Sequence, residues 1–181
     1  MKKFELTNEF ITNMFGTKLF RIRALVEFGD VEAGELGGYV EKESNLGHDD
    51  NAWVYDNAWV YGDAQVSGNA LVCGNALVYD NAWVYGNALV CGDARVCGNG
   101  DYAYAHGFGS VNRTTTFFRL KDGGVGVRCG CFYGTLAQFR DKIRETHGES
   151  AIAEEYLMLA DLMELRFEED ENEVGNRKYV E

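Results

Sequence analysis

Between residues 107 and 119 the chain reads GFGSVNRTTTFFR, a segment rich in groups that bind anions. Gly107 and Gly109 free the backbone, Ser110, Thr114, Thr115 and Thr116 supply hydroxyls, Asn112 supplies an amide, and Arg113 and Arg119 supply guanidinium forks. Phosphate oxygens accept hydrogen bonds from this set of donors. Phe117 or Tyr104 could stack on a nucleobase. Together with His106 and Arg128, the candidate ligand site is Tyr104, His106, Ser110, Asn112, Arg113, Thr114, Thr115, Phe117, Arg119 and Arg128. The spacing is not that of a P-loop and has no Rossmann context. A competing reading is that these charges solvate an exposed hairpin face and pair with the acidic helix and tail that follow.

The charge distribution isolates this segment. Net charge is −12 over 181 residues, yet residues 111–147 carry seven basic and three acidic side chains. Residues 33–110 carry two basic and ten acidic, and residues 148–181 three basic and eleven acidic. Flanks this acidic do not bind duplex nucleic acid, which needs Lys and Arg to neutralise phosphates. Five cysteines without disulfide-like spacing read as reduced thiols of a cytoplasmic protein. Cys129-Gly130-Cys131 has no second pair to complete a metal site and reads as small packing on a strand; no cofactor is expected. The start, MKKFELTNEF, lacks the apolar run of a signal peptide, and no segment reaches the ~20 apolar residues of a membrane span.

The elements that must hold the basic segment are set by a repeat. Residues 51–98 are one hexapeptide written eight times, with Ala at 52, 58, 64, 70, 76, 82, 88 and 94 and Val two places after each. Residues two apart in an extended chain share a side, so Ala and Val point inward together. The Gly/Asp-Asn/Asp pairs between them are turn chemistry. Each hexapeptide is a short strand plus a corner, and the chain coils on itself. Absence of proline fits a ladder in which every N–H is needed.

Before the repeat, residues 4–7 and 18–26 read as a β-hairpin, with Phe20, Ile22, Ala24 and Val26 on one face. Val40 and Leu46 fall on the alanine register, so a degenerate first coil begins near 38. After Gly98, Tyr102 and Phe108 keep the valine register and predict one further irregular coil. TTTFFRL (114–120) and VGVRCGCF (125–132) then form a hairpin across KDGG. Thr135 with Gln138 makes a capping box for a helix to about 147, with Leu136, Phe139 and Ile143 inward. A second helix spans 150–166, with Ile152, Tyr156, Leu159 and Met163 on one stripe. The parts are therefore an N-terminal hairpin and cap (1–37), a β-helix (38–110), a hairpin with a helical pair (111–166), and an acidic tail (167–181).

The repeat resembles the hexapeptide-repeat family. That resemblance implies a mainly β chain built on a left-handed parallel β-helix with three hexapeptides per coil, and a homotrimer packed prism to prism. Stacking at 18 residues puts Trp53, Leu71 and Leu89 on one face, Trp59, Leu77 and Arg95 on a second, and Gln65 and Trp83 on a third. The first two are too apolar to stand in water, so flanking segments or other subunits must cover them. The arrangement of GELGGYVE before the repeats and NRTTTFFR, CGCFYGTLAQF and THG after them is similar to phage and prophage relatives that bear transferase labels. Family acyltransferases use a His base and coenzyme A. Here the coils carry no inserted loop, and His106, between Tyr104 and Gly107, is the one position for such a base. His48 precedes the regular repeats, and His147 reads as a helix C-terminal residue favoured by the dipole. The expectation is a non-enzymatic phage-type protein that sequesters a small phosphorylated ligand, evading host defence. The alternatives are an acidic nucleic-acid mimic that inhibits a host protein, and an acyltransferase.

Overall fold

Backbone conformation repeats with the same six-residue period as the side chains. Residues 50, 56, 62, 68, 74, 80, 86 and 92 all have positive φ, between 53° and 71°; five are Gly and three are Asp. An L side chain in this region costs roughly 1–2 kcal/mol, a cost that Gly avoids. The corners are thus written into the sequence one residue before each Asn or Asp.

The computed structural model describes residues 1–109 and 111–177. The chain divides into two compact units, Met1–Asn99 and Gly100–Glu181. No helix among the described residues is long and apolar enough to cross a membrane.

The first unit opens with an antiparallel hairpin, β1 (Phe4–Thr12) and β2 (Lys18–Ala24), followed by β3 (Leu36–Val40). Eight two-residue strands follow as β4 to β11: Trp53–Val54, Trp59–Val60, Gln65–Val66, Leu71–Val72, Leu77–Val78, Trp83–Val84, Leu89–Val90 and Arg95–Val96. They pair in parallel with strands 18 residues away, giving the faces Trp53/Leu71/Leu89, Trp59/Leu77/Arg95 and Gln65/Trp83. This is a β-solenoid of three strands per turn. Every inward Ala and Val of the repeat is at most 1 % exposed. Asn51, Asn69 and Asn87 pass amide hydrogen bonds along one corner at 3.1 Å.

Two local expectations are corrected here. In β2, Leu19, Ile22 and Ala24 are the buried residues, while Phe20 is only half-buried. Irregular register between Leu6 and Phe10, and between Arg21 and Arg23, lets the inward face change along the strand. In the first coil, Val40 and Leu46 stack on Val60 and Val66, a step of 20 residues rather than 18. They therefore join the valine register, not the alanine one. Two extra residues lie between Leu46 and Val54, and their carbonyls are not left without donors. Lys3 Nζ donates to the carbonyls of Asp49, Asp50 and Ala52 at 3.4, 3.3 and 2.9 Å.

The first apolar face is partly covered from within the unit. Trp53 has no exposed surface, and the rings of Phe4 and Phe28 meet it edge-on at 6.2 and 5.3 Å. Leu71, Leu77 and Leu89 stay half-buried, and the most exposed large aromatics of the coils, Trp83 and Tyr85, lie on the third face and at its corner.

The second unit is a four-stranded antiparallel sheet in the order β12 (Tyr102–Phe108), β13 (Arg113–Arg119), β14 (Val125–Cys129), β15 (Phe132–Thr135). Residues 102–108 pair antiparallel with β13 and so do not form a further coil. YAYAHGF lacks the Gly-Asn corner that each coil needs, and its period is two. The expected second hairpin strand is two strands: Gly130, at φ 57°, turns the chain so that Cys129 faces Phe132 across β14 and β15. Within the CGC motif, Cys129 ends β14 and packs against the core, as expected, while Gly130 and Cys131 form the turn.

Two helices follow, α1 (Leu136–His147) and α2 (Ala151–Arg177). The capping box forms as expected: Thr135 Oγ1 accepts from the Gln138 N–H at 3.3 Å, and Gln138 Oε1 accepts from the Thr135 N–H at 2.9 Å. Both helices pack on one face of the sheet around Phe117, Val127, Phe139, Ile143, Tyr156 and Met163. The inward stripe of α2 is Ala153, Tyr156, Ala160, Met163 and Phe167, with Ile152 and Leu159 half-buried beside it. Its helix runs on through Arg177, beyond the expected end at 166, and residues 178–181 lie outside the described residues.

Candidate functional site

Strand pleating divides the cationic segment between two faces. Arg113, Thr115, Phe117 and Arg119 alternate onto the helix-covered side of β13, as the pattern predicts. Thr115 and Phe117 are completely buried there, and the Phe117 ring meets Phe139 at 6.0 Å. Phe117 is a core residue that cannot stack on a base in this fold. Arg119 is also occupied. Its Nη2 donates to the Phe167 carbonyl at 2.8 Å, its Nε lies 3.5 Å from Asp101, and its guanidinium covers the Phe167 ring at 5.3 Å.

The opposite face collects most of the other candidates. Tyr104, Thr116, Arg128 and Tyr133 are successive partners across all four strands. His106 Nδ1 lies 2.8 Å from Thr114 Oγ1 on the same face. Thr116 is buried, whereas Arg128 is half-buried with its Nε enclosed and without a hydrogen-bond acceptor. Asn112 sits in the β12–β13 turn at φ 50°, and Ser110 lies outside the described residues. The nine described candidates therefore do not converge on one site.

Arg113 is the exception, because it reaches a cleft. A cavity of about 320 Å³ opens between α1, the start of α2 and the ends of β13 to β15. Phe132, Phe139 and Ile143 provide apolar lining, and Arg113, Lys142 and His147 provide cationic or titratable groups. Among the described residues no carboxylate pairs with Arg113, whereas Lys142 pairs with the exposed Glu145 at 2.8 Å. The His147 ring stacks over Tyr156 at 6.1 Å. Burial, and then the neighbouring Cys129, push the Tyr156 hydroxyl up to about 12, against the pull of Arg113. Tyr156 is therefore a neutral donor at physiological pH, and it donates to the Phe108 carbonyl at 3.3 Å.

Two glycines leave room for side chains that line this cleft. A methyl group on Gly130 would overlap Arg113 Nη1, and one on Gly109 would overlap the Tyr156 hydroxyl. Both also have positive φ, 57° and 73°, so side chains are disfavoured there on two counts. A second cleft of about 370 Å³, at the far end of the sheet, sets Arg119 among Asp122, Glu164 and Glu168. Carboxylates make it a poor place for an anion. Among the described residues no cluster of three or more His, Cys, Asp or Glu could hold a metal ion.

Sequence reasoning missed Lys142, His147, Tyr156, Phe132 and Phe139 as site residues. A signal was present: 139, 142, 143, 146 and 147 recur at helical spacing, so one side of α1 must line whatever Phe139 covers.

Residues 64–80 and 72–86 match the family model of the YdcK β-solenoid repeat. The match lies within the coils and touches neither cleft. No curated protein matches the sequence.

Proposed function

We propose that this chain is a non-enzymatic binding protein for a small phosphorylated ligand, held in the Arg113 cleft. The observation that carries the reading is a guanidinium without a carboxylate partner among the described residues, at a cavity lined by Phe132 and Phe139. Arg–phosphate bonds are charge-assisted and directional. The aromatic lining suits a planar group such as a nucleobase, and Lys142 and His147 extend the donor set. His106 lines neither cleft described above, which weighs against an acyl-transfer base.

The wider setting belongs to the same proposal. The chain is a phage-type cytoplasmic protein that withdraws a host signalling nucleotide, and its coils associate as a homotrimer. Support for the trimer comes from the half-buried Leu71, Leu77 and Leu89 ladders, which neighbouring solenoids would cover. Support for the phage setting is the resemblance of the segments flanking the repeats.

Calorimetry with a panel of linear and cyclic nucleotides tests the binding claim. Wild type is expected to bind one class, Arg113→Ala to bind it at least about tenfold more weakly, a loss of about 1.4 kcal/mol, and Arg119→Ala to match wild type. No binding by wild type, or equal binding by Arg113→Ala, overturns it.

A further inference from the structure

The side of α2 that turns away from the sheet is not polar. Met158, Leu162 and Leu165 are 72, 55 and 55 % exposed. At 100° per residue they form one stripe, opposite the buried Ala153, Tyr156, Ala160 and Met163. A helix facing only water would carry polar residues there. Three large aliphatic side chains in register on a helix are the pattern of a helix–helix contact.

We propose that this stripe pairs with the same stripe of a second copy of the chain, with the two α2 helices antiparallel. The charges beside the stripe select both the occupant and the direction. Glu155 and Arg166 are exposed and lie on the same flank, Glu155 near the N-terminal end of the stripe and Arg166 near its C-terminal end. In an antiparallel two-fold pair, equivalent flanks face each other and positions run in opposite senses. Glu155 of each copy then meets Arg166 of the other, giving two symmetric ion pairs about a centre between residues 160 and 161. A parallel pair would set unlike flanks together, bringing Glu155 against the exposed Glu154 of the other copy instead of Arg166. The other flank carries the exposed carboxylates Glu154, Asp161 and Glu168; Asp161 is neutralised within its own chain by Arg140 Nη2 at 2.7 Å, and Glu168 lines a cleft with Arg119. Arg140 also reaches Glu164 at 2.8 Å. The self-complementary order of charges is what a two-fold contact requires.

The contact is independent of the cleft and of any association through the solenoid. If the coils do not associate, α2 pairing makes dimers; if they form trimers, it joins those trimers to one another, at least doubling the mass.

The experiment compares full-length wild type, Leu162→Glu, Glu155→Arg, Arg166→Glu and the Glu155→Arg/Arg166→Glu double variant. Molar mass is read by light scattering across a dilution series, with circular dichroism to confirm that each variant is folded. Wild type is expected at no less than twice the mass of Leu162→Glu. Each single charge reversal should shift dissociation to higher concentration, and the double reversal, which restores opposite charges across the pair, should return it toward wild type. Equal masses for wild type and Leu162→Glu overturn the contact. A double variant no better than either single overturns its antiparallel direction.

Discussion

In the solenoid, a residue's neighbours above and below are its own counterparts 18 positions away, Val on Val and Asn on Asn. In the second unit, neighbours are unlike residues brought from far along the chain, such as Phe117 against Phe139 and Arg119 against the Phe167 carbonyl. The first design spreads stability over equivalent small contacts, each coil touching only its neighbours. The second concentrates it in one cluster. A repeat has no unique position, so a unique ligand site is easier to build where the contacts are singular. The Arg113 cleft lies in the singular unit.

Three experiments bear on that contrast beyond the tests above. The largest effect is expected from Phe117→Ala, which empties the centre of the second unit's core and should cost about 3–5 kcal/mol there. Denaturant unfolding followed by hydrogen exchange should show the helices opening early while the coil amides keep their protection. Loss of protection in both units at once would mean that they fold as one cooperative body.

A smaller effect is expected from Gly74→Ala. The residue has φ 71°, and a Cβ would lie 2.9 Å from the backbone nitrogen of Gly92 in the next coil. The strain of a non-glycine residue in the left-handed region is roughly 1–3 kcal/mol, and the close approach adds to it. A thermal melt of the solenoid transition checks it, and an unchanged midpoint would mean that the corners yield easily.

The smallest is a pH slope. Burial lowers the Lys3 ammonium to about 8 against its ordinary 10.5, with Asp50 and Asp49 opposing. Between those values the unfolded chain holds a proton that the folded chain has released, so stability should rise with pH across that window. Above about 10, Tyr79 and Tyr156, both raised to about 12 mainly by burial, reverse the slope, because the unfolded chain loses their protons first. Urea midpoints measured against pH should therefore pass through a maximum. Lys3→Met should lose the rise and keep the fall.

The coils were legible because the hexapeptide repeats both the inward pair and the corner residue, so register follows from counting. The Thr135–Gln138 capping box was legible because it is local. The first coil was misread because the two additional residues before Val54 change the register without changing the composition. What marks the insertion is Lys3, about fifty residues away, whose ammonium meets the displaced carbonyls. The candidate site was read as one cluster because the alternation, itself legible, does not say which face the helices cover. Arg113 and Arg119 share a face, yet one finds an open cleft and the other Asp101 and the end of a helix core.

The order of residues alone determined the solenoid: its period, its inward Ala and Val, its left-handed corners and the sorting of its outer side chains onto three faces. Those features depend on spacing along the chain, which is covalent and therefore readable. Tertiary packing alone decided which cation stays available, which aromatic becomes core, and which side of α2 is left bare. Those outcomes depend on which distant carboxylate, carbonyl or ring arrives within a few ångströms, and no local spacing records that.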